Sequence, residues 1–128
     1  MLVYRVEDFY GNGPYNGINM ISNLVKDHGF NSDYPGWSDD LLGEYTSSYK
    51  SGFISLDKLI EWFYNYFDEL SKEFKISVYI DPHHVIYSKS GKQIAFYGGI
   101  KSFSMNMGSL EIKKSLDTEI KSDTIDVD

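Results

Sequence analysis

From Phe74 to Phe103 the chain runs FKISVYIDPHHVIYSKSGKQIAFYGGIKSF, which reads as strand, turn, strand, hairpin, strand. Lys75 to Ile80 alternates apolar and polar residues, and Asp81-Pro82 ends the alternation with a residue that cannot donate to a ladder. His83 to Tyr87 and Gln93 to Tyr97 pair across the glycine-containing loop Ser88-Lys89-Ser90-Gly91-Lys92. Gly98-Gly99 is a bend, and Lys101 to Met107 a last strand. Strands joined by such short connections form an antiparallel sheet, and one face of it needs an apolar cover. The segment just upstream supplies one. Leu56, Leu59, Ile60, Phe63, Phe67, Leu70 and Phe74 recur at helical spacing, with Ser55 as N-cap and Asp57 suited to the first-turn dipole.

The first half is less regular. Leu2 to Glu7 alternates as a short strand, with Leu2, Tyr4 and Val6 on one side unless Val3 and Arg5 take the core side. Gly11-Asn12-Gly13-Pro14 breaks it. Ile18 to His28 places Ile18, Ile21, Leu24 and Val25 on one helical face, with Asn16 as N-cap and Gly29 as the stop. Asn31 to Gly52 is loop-like and contains the acidic-aromatic stretch Trp37-Ser38-Asp39-Asp40. A loop of this length in a small domain is usually functional or mobile.

The fold expected is α+β: one domain over residues 1–108, with two helices packed on a mixed, mainly antiparallel sheet. Its core should include Tyr4, Val6, Ile21, Leu24, Leu59, Phe63, Phe67, Val78, Ile80, Ile86, Ile94 and Phe96. Residues 109–128 form an acidic extension that reads as strand, helix or tail.

Charge and composition narrow the function classes. Twelve basic residues against nineteen acidic ones give a net charge of -7. Such a chain should repel nucleic acid and anionic membrane, and its negative charge either serves solubility alone or suits basic protein surfaces. There is no cysteine, so disulfides and thiolate catalysis are excluded. No apolar run reaches the roughly 20 residues a membrane span needs, and MLVYRVED has no signal-peptide pattern. The expected location is the cytoplasm.

Few residues carry chemistry. Arg5 sits mid-strand, where its permanent charge needs an anion or carbonyl, from a ligand or from an acid such as Glu7 or Glu44. Gly11, Gly13 and Gly17 frame a loop between strand and helix, flanked by Tyr10 and Tyr15. Such a loop approaches phosphate through backbone N–H groups, or is a plain turn. His83 and His84, adjacent on a strand, face opposite ways and make a poor metal pair, so no metal is expected. His28 has no visible partner for a serine nucleophile. Trp37, Asp39, Asp40, Glu44 and Tyr45 make an acidic-aromatic surface for a partner, while Asp39, Asp40 and Glu44 also read as a divalent-cation site or as solvated loop acids.

Two resemblances follow from these motifs. LVYRVEDFYGNGPY (Leu2 to Tyr15), YKSGFISLDKLIEWF (Tyr49 to Phe63) and FKISVYIDPHHVI with KQIAFYG together resemble small uncharacterised proteins of bacteriophages and prophages, over Leu2 to about Gly98. That likeness implies a phage context. The C-terminal half also resembles an ADP-ribosyltransferase-like fold. The likeness implies that Arg5 holds a dinucleotide, that Ser55 is the hydroxyl residue before the helix, and that Gln93 stands where a catalytic glutamate belongs. Gly13 and Tyr15 would then touch ligand. An amide keeps a hydrogen bond there but not the charge that stabilises an oxocarbenium-like cation.

Two functions are therefore expected as alternatives. One is an anti-CRISPR-like inhibitor, without cofactor, that covers the basic surface of a host defence protein or nucleoprotein complex. The other is a mono-ADP-ribosyltransferase or NAD-handling enzyme.

Overall fold

The computed structural model describes residues 1–15, 17–29, 31, 33–35, 40–41 and 48–107. In chain order these form β1 (Leu2–Asp8), α1 (Ser22–Gly29), β2 (Lys50–Gly52), α2 (Leu56–Phe63), a 3-10 turn (Tyr64–Tyr66), α3 (Phe67–Leu70), β3 (Phe74–Ile80), β4 (His84–Tyr87), β5 (Ile94–Tyr97) and β6 (Ile100–Asn106). Asn16, Trp37, Asp39, Glu44, Tyr45 and the 109–128 extension lie outside the described residues.

The class is α+β, but the sheet is neither single nor mixed. Among the described residues there are two three-stranded sheets, β1-β3-β6 and β2-β5-β4, and every pairing is antiparallel. An isolated bridge between Tyr4 and Phe53 joins them. The Tyr4 N–H donates to the Phe53 carbonyl at 2.9 Å, and the Phe53 N–H to the Tyr4 carbonyl at 2.8 Å.

Both faces of β1 are covered, which resolves the two alternatives its alternation left open. Val6 joins Leu24, Leu59, Phe63, Phe67, Leu70 and Phe74 in a cluster with the helices. Val3 packs instead with Tyr79, Ile94 and Phe96 between the sheets. Arg5 and Glu7 have the parity of Val3, so the inter-sheet side carries charge as well as apolar surface. Tyr4, Ile21 and Ile80 are only half-buried, whereas the other nine expected core residues are buried. Each of those large side chains contributes about 1.5–3 kcal/mol by leaving water.

The helices are shorter than the periodicity suggests. Ile18 is exposed and α1 starts at Ser22, because Gly17 at φ +89° turns the chain and the Ile21 N–H bonds the Pro14 carbonyl. The Leu56 to Phe74 run breaks at Phe63, whose φ and ψ are -108° and 11°. The aromatic run from Trp62 to Phe67 has low helix propensity, and a 3-10 turn still keeps Phe63, Phe67 and Leu70 on the core side. Phe74 opens β3 instead of ending a helix. The segment expected to be loop through Gly52 ends in β2, which pairs Lys50, Ser51 and Gly52 with Phe96, Ala95 and Ile94. Glycine is needed in β2: a Cβ on Gly52 would stand 2.7 Å from a Val3 methyl.

Candidate functional site

Between α1, α2 and the β1–β2 junction lies a cavity of about 510 Å³, within the range of small-ligand sites. Arg5, Gly13, Tyr15 and Gln93, four of the residues singled out by sequence, line it together. Lys50, Ser51, His28, Tyr34, Tyr49 and Trp62 line it too, and none of these was anticipated there. Among the described residues the lining holds two basic side chains, Arg5 and Lys50, and no carboxylate.

Arg5 is buried and heavily engaged. Its Nη1 donates to the Ser51 carbonyl at 2.9 Å and to Ser51 Oγ at 3.1 Å, and its Nη2 to the Gly11 carbonyl at 3.1 Å. Its Nε donates to Glu7 Oε2 at 3.0 Å, so Glu7 is its anionic partner. Lys101 Nζ lies 2.7 Å from Glu7 Oε1, and the Tyr79 hydroxyl donates to both Glu7 oxygens at 3.0 Å. Burial alone would push the Glu7 carboxyl up. Hydrogen bonds from Lys101, Ser77 and Tyr79, with the Arg5 charge, outweigh that and hold it below the ordinary carboxylate value. One carboxylate thus faces two cations, and the cluster is net positive beside the cavity.

Gly13 lies beside the guanidinium, where a Cβ would make ordinary contact at 3.7 Å from Arg5 Nη2. Ser55 is elsewhere. Its hydroxyl accepts from the Lys58 N–H at 3.2 Å as the N-cap of α2, and it lines a separate hollow with Tyr4 and Leu56. The hydroxyl residue beside Arg5 is Ser51.

Rings wall the cavity between the helices. Trp62 Nε1 donates to the Tyr15 hydroxyl at 2.6 Å, and that hydroxyl meets His28 Nδ1 at 2.7 Å. Since the indole can only donate, the Tyr15 proton is best placed toward Nδ1. The Tyr15 hydroxyl is therefore committed to the wall. Burial pushes its ionisation up, and burial also holds His28 below its ordinary value. Tyr34 stacks on His28 at 3.7 Å and 6°. His28 was legible after all: it lies one turn beyond Leu24 on the buried face of α1, and its partner Tyr15 sits in the glycine loop.

Asp40 is not on a surface. It is buried, and its Oδ1 accepts from the Ser90 N–H at 2.8 Å. Its Oδ2 accepts from Ser90 Oγ at 2.8 Å and Gln93 Nε2 at 3.0 Å. Burial would raise its carboxyl, but the bonds from Gln93, Ser90 and Ser88 hold it below the ordinary value. Asp40 therefore pins the 88–93 loop, and burial removes it from the docking surface expected for it.

His84 Nδ1 pairs with the Tyr49 hydroxyl at 2.6 Å, while His83 precedes β4 and packs against Tyr97. Among the described residues no group of three or more His, Asp or Glu is placed to hold a metal. No described helix is long and apolar enough to cross a membrane. Comparison with curated proteins returns no match, and comparison with solved structures returns none either. The family model described as Bacteriophage T4 Y00F protein matches residues 1–105.

Proposed function

The chain belongs to the bacteriophage T4 Y00F protein family, and we propose that it is a small-ligand-binding protein whose cavity takes an anionic nucleotide of the NAD class. The observation that carries this is the contrast between chain and cavity. The chain has a net charge of -7, yet the described lining holds Arg5 and Lys50, four Tyr and Trp rings and no acid. Cations suit a pyrophosphate and rings suit a flat base.

The ADP-ribosyltransferase-like resemblance lends support. An arginine from β1, a serine from β2 and the residue before β5 meet at one cavity, with Ser51 in place of Ser55. With Gln93 in the glutamate's place, binding is favoured over group transfer. Loss of one key electrostatic group commonly lowers a rate about 100-fold to 1000-fold.

Titration calorimetry with NAD and ADP-ribose tests the proposal. Binding in the micromolar range is expected, weakened about tenfold, or about 1.4 kcal/mol, by Lys50→Glu. Lys50 is exposed, so the variant should fold. No heat with either compound at millimolar concentration would overturn the proposal.

Inhibition of a host defence complex is the second reading. Phe9, Tyr10 and Ile18 favour it, being 94%, 70% and 82% exposed near the glycine loop, where a monomer gains nothing from showing them. Its test is phage plating on defended hosts with Asp39→Lys, Glu44→Lys and Phe9→Ser. Protection that survives all three substitutions ends it.

A further inference from the structure

Gln93 is the only glutamine of the chain, and both hydrogens of its amide are spoken for. Nε2 donates to the Pro35 carbonyl at 3.0 Å and to Asp40 Oδ2 at 3.0 Å. Neither partner can donate: one is a carbonyl and the other a carboxylate that also accepts from Ser90 N and Ser90 Oγ. The amide therefore cannot be turned over without setting its carbonyl oxygen against two acceptors. Gln93 is 7% exposed and Asp40 4% exposed, so water does not relieve such a clash. Among the described residues no donor reaches Gln93 Oε1, and Gln93 lines the cavity.

We propose that Asp40 is a positioning residue for the ligand site: it locks the Gln93 amide so that Oε1 faces the ligand as an uncharged acceptor, which selects a hydroxyl or N–H donor at that point. This rests on the cavity being a ligand site, as proposed above. Arg5 and Lys50 select for an anion, whereas Oε1 repels one. A molecule that satisfies both sets carries phosphate and free hydroxyls together, as the ribose of a nucleotide does. A bare polyphosphate satisfies only the cations.

Two measurements test this. With glutamine-selective ¹⁵N labelling, the side-chain NH2 of Gln93 gives a single pair of resonances. In the ligand-free wild type that pair should lie outside the free-amide region and exchange with water at least about tenfold more slowly than an exposed amide, because both hydrogens are bonded and buried. In Asp40→Asn the pair should move toward the free-amide position while the backbone spectrum is kept. A free-amide pair in the wild type overturns the lock, and this decides the matter even where Asp40→Asn fails to fold.

The second measurement is affinity for ADP-ribose and for inorganic pyrophosphate. Gln93→Met and Asp40→Asn should each weaken ADP-ribose about tenfold and leave pyrophosphate unchanged. Equal losses for both probes, or no loss for either, overturn the selectivity. Should the wild type bind neither probe, the ligand-site proposal and the selectivity fall together, while the NH2 resonances still report whether Asp40 holds Gln93.

Discussion

Glu7→Gln should destabilise the fold by about 3–5 kcal/mol, because it leaves the buried Arg5 guanidinium without its anion. For a domain of this size that is a fall in Tm of about 10 to 20 °C. Arg5 would keep Ser51 and Gly11 as acceptors, but these are neutral and cannot compensate a charge held between two sheets. Lys101 is the control. Its side chain is 47% exposed and can turn to water, so Lys101→Met should cost at most about 1 kcal/mol. Arg5→Met with Glu7→Gln should cost less than the sum of the two single changes, since removing both charges removes the unpaired one. Chemical denaturation of the four variants measures all of this. An additive cycle would show that the Arg5–Glu7 pair is incidental.

The same pair sets an acid limit. The Glu7 and Asp40 carboxyls lie below their ordinary values of 4.5 and 3.8 in the folded protein. The unfolded chain thus takes up protons first as pH falls. Their contribution is complete above about pH 5 and is lost as pH drops through the folded values. Glu7→Gln should remove its share of that acid sensitivity.

Elements built on local pattern were legible in the sequence. The alternation of Leu2 to Glu7 gave β1, and Ser55 before Leu56 gave the start of α2. What failed was decided by tertiary contacts. Lys50-Ser51-Gly52 has no strand propensity and is a strand because β5 and the Tyr4–Phe53 bridge hold it there. Ser51 was missed for that reason, and with it the hydroxyl that meets Arg5. The resemblance points to Ser55 instead, although a serine that caps a helix has already committed its oxygen. Asp40 looked like a solvated loop acid because nothing local shows that the hairpin at 88–93 folds back over it. Arg5, Gly13 and Tyr15 stand out locally, as a charge mid-strand and a glycine-rich turn with tyrosines, whereas Gln93 stands out only through the ADP-ribosyltransferase-like resemblance.

Gln93→Glu should be tolerated at low pH and penalised at neutral pH. The new carboxylate would meet Asp40 Oδ2 where the amide nitrogen Nε2 now donates at 3.0 Å, and the Pro35 carbonyl on its other side. Two buried carboxylates in contact cannot both ionise cheaply, so the pair holds a proton well above the usual range. A raised folded-state value means that the stabilising protonated form is present at acid pH and lost as pH rises through that value. The expected cost at pH 7 is about 1–3 kcal/mol, fading toward pH 4. Adding Asp40→Asn should recover part of it, because an asparagine amide can donate to the introduced carboxylate while its carbonyl accepts from Ser90. Pro35 stays without its donor, so recovery is incomplete. The double variant also places a negative charge in a cavity that otherwise has none among its described residues, and its affinity for ADP-ribose should fall about tenfold below wild type. Melting curves of the single and double variants at pH 4 and pH 7 check the first part, and calorimetry checks the second. Equal stability of Gln93→Glu and wild type at pH 7 would mean that Asp40 does not face position 93 in solution. The glutamine would then owe nothing to its neighbour's charge.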